Sequence, residues 1–259
     1  MNTNLSPISV LQRLRQLDLF FVTPRLLIDL FDLSPSRAYR LLAQLKQMNL
    51  AAEVENGKYL VLGLEPERVL ANPLFIASQL APPGYVSFWT ALHYYGFTEQ
   101  TPRMVFVATV KKKRPVHFHG HTFRFVTVQP RKFFGYRREP VDGLPVLLAD
   151  EAKAIVDSLS EPRYAGGVAE AAKALHMALP QIDVTLLVEY ANRMGDRSLG
   201  SRLGFLLSRL GHAAASASLI RSSSPVKLDP TRSANGNRDT LWQIYINLTD
   251  AELFPMGVQ

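Results

Sequence analysis

The segment TPRLLIDLFDLSPSRAYRLLAQLKQMNLAAEVENGKYLVL, residues 23–62, decides the fold of the N-terminal part of this chain. Thr23-Pro24 and Ser34-Pro35 each place a hydroxyl group, which caps free N–H groups, before a proline that suits the first turn of a helix. They predict two short helices, of which the second is longer and basic. Asn56-Gly57, between AAEV and KYLVL, predicts a tight hairpin. Helix, helix and hairpin in this order are typical of a winged helix-turn-helix.

The apolar residues of the second predicted helix recur at the spacing of one helical face. We expect this face to be buried; its members are Ala38, Leu41, Leu42, Leu45 and Met48. The upstream segment ISVLQRLRQLDLF contributes a third wall of the core through Leu11, Leu14 and Leu17. This unit therefore has a small apolar core of its own.

The opposite side of the same helix carries side chains that hydrogen-bond base edges or phosphates, and no carboxylate interrupts it. Its members are Ser36, Arg37, Arg40, Gln44 and Gln47, with Tyr39 at the border and Asn56 and Lys58 at the hairpin tip. We expect Arg37, Arg40 and Gln44 to contact bases in double-stranded DNA. Ser36 and Gln47 would contact the backbone or flanking bases, and Asn56 and Lys58 would act as wing contacts. An alternative is that the unit only mediates protein contacts such as dimerisation.

The bulk composition is that of an ordinary globular protein. The chain has 259 residues, 47% of them hydrophobic and 20% charged, which is enough for two modest domains. We predict a winged helix-turn-helix over residues 1–64 and a larger domain over residues 65–259. The absence of cysteine excludes disulfides and thiolate metal sites, and the N-terminus lacks a secretory signal. These features favour a cytoplasmic location and no membrane association.

Positive charge is concentrated outside the predicted helix-turn-helix. Residues 101–140 carry ten basic side chains and one acidic one, whereas the whole chain has a net charge of +7. The cations form two groups: Lys111, Lys112, Lys113 and Arg114, then Arg131, Lys132, Arg137 and Arg138. Such a segment attracts nucleic acid by releasing counterions. It predicts a second contact with DNA or RNA, and the alternative is a solvated basic surface without a partner.

The remaining pattern predicts an α+β domain. Strand-like runs are followed by a series of helices, without the regular alternation that parallel βαβ units require. The predicted strands are MVFVATV, PVHFH, TFRFVTV and GLPVLLA, and a last strand is predicted at LWQIYINL. The predicted helices include a stretch around Glu67 to Leu80, SFWTALHYYG, DEAKAIVDSL behind an Asp150 cap, and three or four more before residue 222.

No motif for catalysis or for a cofactor emerges from the residues. His117, His119 and His121 alternate like metal ligands on a strand, but Gly120 predicts a hairpin that separates them. Gly166-Gly167 is expected to begin a helix, because the rest of a phosphate-binding loop is missing. The chain has no Asp-x-Asp pair, which a nucleotidyltransferase needs for Mg²⁺. We therefore expect a protein that is not an enzyme and holds no metal or cofactor.

Four segments resemble a known family. GYVSFWTALHYYGFTEQTP (residues 84–102), FFGY (133–136), ADEAKAIVDSL (149–159) and EPRYAGGVAEAAKAL (161–175) are similar to sequences of AbiEi-type antitoxins. These are the regulator halves of abortive-infection phage-defence operons, which are type IV toxin–antitoxin systems. The resemblance extends from the N-terminal unit to about residue 212.

The resemblance implies a repressor that binds inverted repeats in its own promoter. It also implies a C-terminal domain that counteracts a nucleotidyltransferase-like toxin, without the two proteins necessarily forming a complex. An alternative function remains from the residues themselves. The basic segment of residues 101–140 would then bind RNA or a protein, and the winged helix would serve dimerisation.

Overall fold

The computed structural model of the chain describes residues 5–254. Its helices in this range are α1 (Pro7–Gln16), α2 (Pro24–Phe31), α3 (Pro35–Gln47), α4 (Pro66–Leu70), α5 (Pro73–Leu80), α6 (Phe88–Tyr94), α7 (Glu151–Ser160), α8 (Val168–Ala178), α9 (Val184–Arg193), α10 (Arg197–Arg209), α11 (Ala213–Ser216) and α12 (Asp250–Leu253). None of these helices combines the length and the apolar character that crossing a bilayer requires.

The strands of the same range form three sheets. They are β1 (Phe21–Val22), β2 (Ala51–Glu55), β3 (Lys58–Val61), β4 (Gly84–Val86), β5 (Met104–Thr109), β6 (Val116–Phe118), β7 (His121–Thr127), β8 (Tyr136–Val141), β9 (Leu144–Ala149), β10 (Val226–Lys227), β11 (Arg238–Asp239) and β12 (Ile244–Tyr245). Single 3-10 turns occur at Pro130–Lys132 and Pro162–Tyr164. The predicted mixed α+β class is confirmed.

The N-terminal unit consists of α1, α2 and α3 with an antiparallel sheet in the order β1-β3-β2. Thr23 caps α2 as predicted, since its hydroxyl accepts a hydrogen bond from the N–H of Leu26 at 3.2 Å. The equivalent bond at Ser34 is absent, so α3 begins at Pro35 without a side-chain cap. The hairpin turns at Asn56-Gly57, where Gly57 has a φ of +68°. The strand β1 was not predicted.

The core of this unit largely follows the predicted faces. Ala38, Leu41, Leu42 and Leu45 of α3 are buried, as are Leu11 and Leu14 of α1. Two expectations are wrong, because Met48 is 50% exposed and Leu17 is 38% exposed. Both lie one residue beyond the end of their helix, where the backbone no longer continues the buried face.

A six-stranded mixed sheet organises the rest of the chain. Its strand order is β6-β7-β5-β4-β9-β8, with parallel pairing of β5 with β7 and of β4 with β9. The strands β4 and β8 were not predicted. The predicted helix from Glu67 to Leu80 is divided into α4 and α5, because Pro73 begins a new helix that Asn72 caps. α5 packs on β4, β5 and β9, whereas α7 is surrounded by α6, α8, α9 and α10.

The strand β3 is buried on both of its faces. Tyr59 and Val61 belong to the apolar core of the N-terminal unit, whereas Leu60 and Leu62 belong to the core of the larger unit. Nearby, the rings of Phe20 and Phe75 meet edge to face at 5.1 Å between centroids. The two cores are therefore joined through β3, which lies within residues 1–64, the predicted N-terminal domain.

The segment from residue 226 to residue 245 docks on the larger unit. It forms the small sheet β10-β12-β11, in which only Ile244–Tyr245 of the predicted strand LWQIYINL is extended. Trp242 is 3% exposed, and its indole N–H donates to the hydroxyl of Ser208 on α10 at 2.8 Å. The Trp242 ring lies against Gly204, where a Cβ atom would overlap it.

We predict that Gly204→Ala destabilises the fold, since the added methyl group collides with the Trp242 ring. Overpacking of this kind costs about 1–3 kcal/mol, which urea unfolding would measure. The control is the same substitution in a Trp242→Ala background, where the obstructing ring is gone. Equal costs in the two backgrounds would contradict the docking of this segment on α10.

Candidate nucleic-acid interface

The exposed face of α3 is polar and cationic. Ser36, Arg37, Arg40, Gln44 and Gln47 are all exposed, and none of them makes a side-chain hydrogen bond or ion pair within residues 5–254. At 100° per residue these positions surround the direction opposite to the buried leucines. The face therefore presents two guanidinium groups and two amides to solvent, with no internal partner to displace.

One side of α3 faces the hairpin. Tyr39, which is 59% exposed, and Lys46 lie on this side of the helix. The Lys46 ammonium contacts the carboxylate of Glu53 on β2 at 2.7 Å and lies 5.8 Å from the centre of the Tyr59 ring. The hydrogen bond between the two groups lowers the pKa of Glu53 and raises the pKa of Lys46. Both groups are therefore charged at neutral pH.

The hairpin tip is held by the two glutamates of β2. Glu53 accepts a hydrogen bond from the N–H of Gly57 at 3.2 Å. Glu55 contacts the ammonium of Lys58 at 3.4 Å and also pairs with Lys113 from the larger unit. Burial alone would raise the pKa of Glu55, but its contacts with Lys113 and Lys58 outweigh this effect and lower it. Asn56 is exposed at the tip.

The structure distributes the basic segment of residues 101–140 over several elements. Lys111, Lys112, Lys113 and Arg114 lie in the loop between β5 and β6, which we call the β5–β6 loop. Arg131 and Lys132 lie in the 3-10 turn after β7, and Arg137 and Arg138 lie on β8. Since β6 and β8 are opposite edges of the sheet, the first and last of these groups are separated by its width.

Half of these eight cations pair with carboxylates. Lys113 pairs with Glu55, Lys132 with Asp196 at 3.5 Å, Arg137 with Glu139 and Glu151, and Arg138 with Asp18 at 2.9 Å. Of the rest, Lys111 donates to the carbonyl of Pro82 and Arg131 to the amide of Gln129, both at 2.9 Å. Lys112 and Arg114 are exposed and have neither kind of partner in the described part of the chain.

The other candidate motifs are separated or serve the backbone. The hairpin at Gly120 places His117 on β6 and His121 on β7, as predicted, and the ring of His117 hydrogen-bonds Thr122 at 2.9 Å. Between residues 5 and 254 no three His, Asp or Glu side chains are arranged to hold a metal ion. Gly166 and Gly167 have φ values of +78° and +97° and lead into α8.

A buried polar cluster on α7 was not found from the sequence. Lys153 and Asp157 are four residues apart, are fully buried and form an ion pair. Asp157 also accepts hydrogen bonds from the hydroxyls of Tyr85 at 3.1 Å and Ser87 at 2.8 Å. Burial lowers the pKa of Lys153 and raises that of Tyr85 well above its ordinary value. The available signal was a lysine and an aspartate four residues apart on a helix whose residues from Ala152 to Leu159 are all buried.

This cluster supports the fold. A cavity of about 140 Å³ lies beside it, lined by Asp157, Lys132 and Glu161 among others. Both oxygens of Asp157 accept hydrogen bonds, one from Lys153 and the other from Tyr85 and Ser87. Its hydrogen bonds attach α7 to β4 and to the start of α6.

We predict that Lys153→Met costs about 3–5 kcal/mol of unfolding free energy, because Asp157 stays buried without its counter-ion. Urea unfolding would measure the loss, and Lys173→Met on α8 is the control. Lys173 is partly exposed and its nearest carboxylate lies 3.9 Å away, so that change should stay within about 0.5 kcal/mol. Similar values for the two variants would show that the buried pair contributes nothing.

Comparison with known proteins identifies a similar fold and no family. No protein-family model matches the chain, and no curated protein sequence matches it. The chain is similar to the crystal structure of the Rv2827c protein from Mycobacterium tuberculosis, with a TM-score of 0.51 and 16% sequence identity. The alignment covers 91% of this chain and 89% of that chain. At this level of identity the similarity shows the fold alone, and it extends over both units.

Proposed function

We propose that this protein is a DNA-binding transcriptional repressor and that its N-terminal unit is a winged helix-turn-helix. The observation that carries the proposal is the exposed face of α3. It combines Arg37, Arg40 and Gln44 with no carboxylate and no internal hydrogen bonds, beside a hairpin that Lys46 and Glu53 hold against the helix. Cations and amides that are exposed in this way are the groups that contact bases and phosphates.

The dimensions of α3 suit the major groove of a duplex. Its 13 residues span about 20 Å, and an α-helix fits a groove about 12 Å wide. Arg37, Arg40 and Gln44 would bind base edges, while Ser36 and Gln47 would contact the backbone. Tyr39 lies between this face and the hairpin, where Asn56 and Lys58 would reach neighbouring phosphates.

We further propose that the repressor is the antitoxin of a type IV toxin–antitoxin operon and acts in the cytoplasm. The support is the resemblance of residues 84–102, 133–136, 149–159 and 161–175 to AbiEi-type antitoxins. The protein would bind inverted repeats in its own promoter. It would counteract a nucleotidyltransferase-like toxin without necessarily contacting it. This part of the proposal depends on the resemblance, whereas DNA binding depends on the geometry of α3.

The alternative, an RNA- or protein-binding module that uses residues 101–140, has less support. Four of the eight cations in the two basic groups of this segment form ion pairs with carboxylates. The segment is also divided between opposite edges of the sheet. In that alternative the N-terminal unit would only mediate dimerisation. The polar face of α3 would then be covered by a second copy of the chain.

The direct test is Arg37→Ala combined with Arg40→Ala, titrated against the promoter of the protein's own operon. Each lost base contact weakens binding by about 1–3 kcal/mol, so we expect the dissociation constant to rise at least about 30-fold. Binding to a scrambled duplex should change less. Gel-shift or anisotropy titrations at fixed salt concentration measure both values.

The matched control removes the same charge elsewhere, as Arg197→Ala plus Arg221→Ala. Both residues are exposed, Arg197 at the start of α10 and Arg221 after α11, and both lie outside the N-terminal unit and outside residues 101–140. Promoter affinity close to that of the unsubstituted protein is expected for this control. Promoter binding by the Arg37/Arg40 variant at the level of the control would end the proposal for α3.

A second experiment separates repression from antitoxicity. The Arg37/Arg40 variant should fail to repress a promoter reporter but should still protect cells that express the neighbouring nucleotidyltransferase. The reason is that antitoxicity is assigned to the larger unit, which the two substitutions do not touch. Loss of protection by a variant that is folded and equally abundant would contradict this division of roles.

A further inference from the structure

The β5–β6 loop is attached to the hairpin of the N-terminal unit. Lys113 forms an ion pair with Glu55, which is the residue immediately before the hairpin tip at Asn56. The side chain of Lys113 is only 15% exposed, and its ammonium lies 5.2 Å from the centre of the Phe125 ring. Because this ion pair is partly shielded from water, it is stronger than a pair between fully exposed side chains. It holds the loop beside the tip.

The residues on either side of Lys113 form no such ion pair. Lys112 and Arg114 are exposed and have no carboxylate partner within the described range. Lys111 is turned away from them, because its ammonium donates to the carbonyl of Pro82 at 2.9 Å. The loop therefore presents two cations next to the hairpin tip, and the hairpin strand β2 contacts both α3 and β6.

The acidic residues nearby do not cancel these cations. Glu53 is paired with Lys46, and Glu55 is shared between Lys58 and Lys113. The two glutamates thus hold three lysines that belong to α3, the hairpin and the β5–β6 loop. Two carboxylates against three lysines leave one net positive charge in this group, beside the unpaired Lys112 and Arg114.

We propose that Lys112 and Arg114 contact backbone phosphates of the same DNA duplex that α3 binds, and that Glu55 is the residue that positions their loop. This inference rests on the function proposed above and extends the DNA contact beyond the N-terminal unit. Arg131, Lys132, Arg137 and Arg138 are excluded from it. They lie on other elements, and three of the four are paired with carboxylates.

The test is Lys112→Ala combined with Arg114→Ala, with binding measured over a series of salt concentrations on promoter DNA and on a scrambled duplex. Each phosphate contact contributes about 0.9 to the slope of log affinity against log salt, so the slope should fall by about 2. Affinity for both duplexes should fall by a similar factor, leaving the ratio between them unchanged. The Arg197→Ala plus Arg221→Ala control should keep the original slope.

Failure of this inference is distinguishable from failure of the proposed function. If the unsubstituted protein prefers its promoter and the Lys112/Arg114 variant keeps the full slope, DNA binding stands and the loop contact is wrong. If the unsubstituted protein has no preference for the promoter, the proposed function fails, and this inference fails with it.

The role of Glu55 has its own readout. Glu55→Gln raises the net charge by one, so a carboxylate that only repelled DNA would leave a variant that binds every duplex more tightly. If Glu55 positions the loop, Lys112 and Arg114 reach the phosphates less well without it. In the Glu55→Gln background, removing these two cations should therefore lower the salt slope of binding by less than 2. An undiminished change would overturn the positioning role. Promoter preference should persist in this variant, since α3 keeps its base contacts.

Discussion

The structure depends on a strand that is buried on both faces. Alternate side chains of a strand point in opposite directions, so β3 sends Tyr59 and Val61 into one apolar core, and Leu60, with Leu62 directly after the strand, into the other. Burying each of these side chains is worth about 1.5–3 kcal/mol. Separating the two units would expose one of these sets, and the relative position of the units is therefore set by apolar packing.

Ion pairs act within this frame and have a different role. Exposed pairs contribute about 0–1 kcal/mol each, much less than the apolar contacts of β3. The Lys46–Glu53 contact therefore adds little to stability and the partly shielded Glu55–Lys113 pair adds more, but the main effect of both is to decide where cationic side chains lie. Because β3 already fixes the hairpin relative to the larger sheet, a lysine from that sheet can reach Glu55. Apolar packing sets the distance between the hairpin and the larger sheet, and charge determines which side chains pair across that distance.

Local signals in the sequence predicted the elements that local physics controls. Thr23-Pro24 begins a helix and Asn56-Gly57 makes a turn through contacts within a few residues, and both were predicted. The strand β8, YRREPV, has no apolar alternation and becomes a strand only by pairing with β9. The ion-pair partners of the cations could not be predicted either, since Arg138 pairs with Asp18, which is 120 residues away in the sequence. Charge counts along a sequence contain no information about such partners.

Such ion pairs change how the basic segment of residues 101–140 is interpreted. Ten basic and one acidic side chain in residues 101–140 suggest a broad positive surface, but several of these cations are neutralised by carboxylates from other parts of the chain. A neutralised pair has no net charge, so its field decreases with distance faster than that of an unpaired cation, which salt itself screens over about 8 Å at physiological ionic strength. The field that a polyanion meets therefore comes from cations without partners, and Arg37, Arg40, Lys112 and Arg114 are among them. These four belong to two units that β3 joins, so the unpaired cations and the helix that we propose to contact bases are connected through one buried strand.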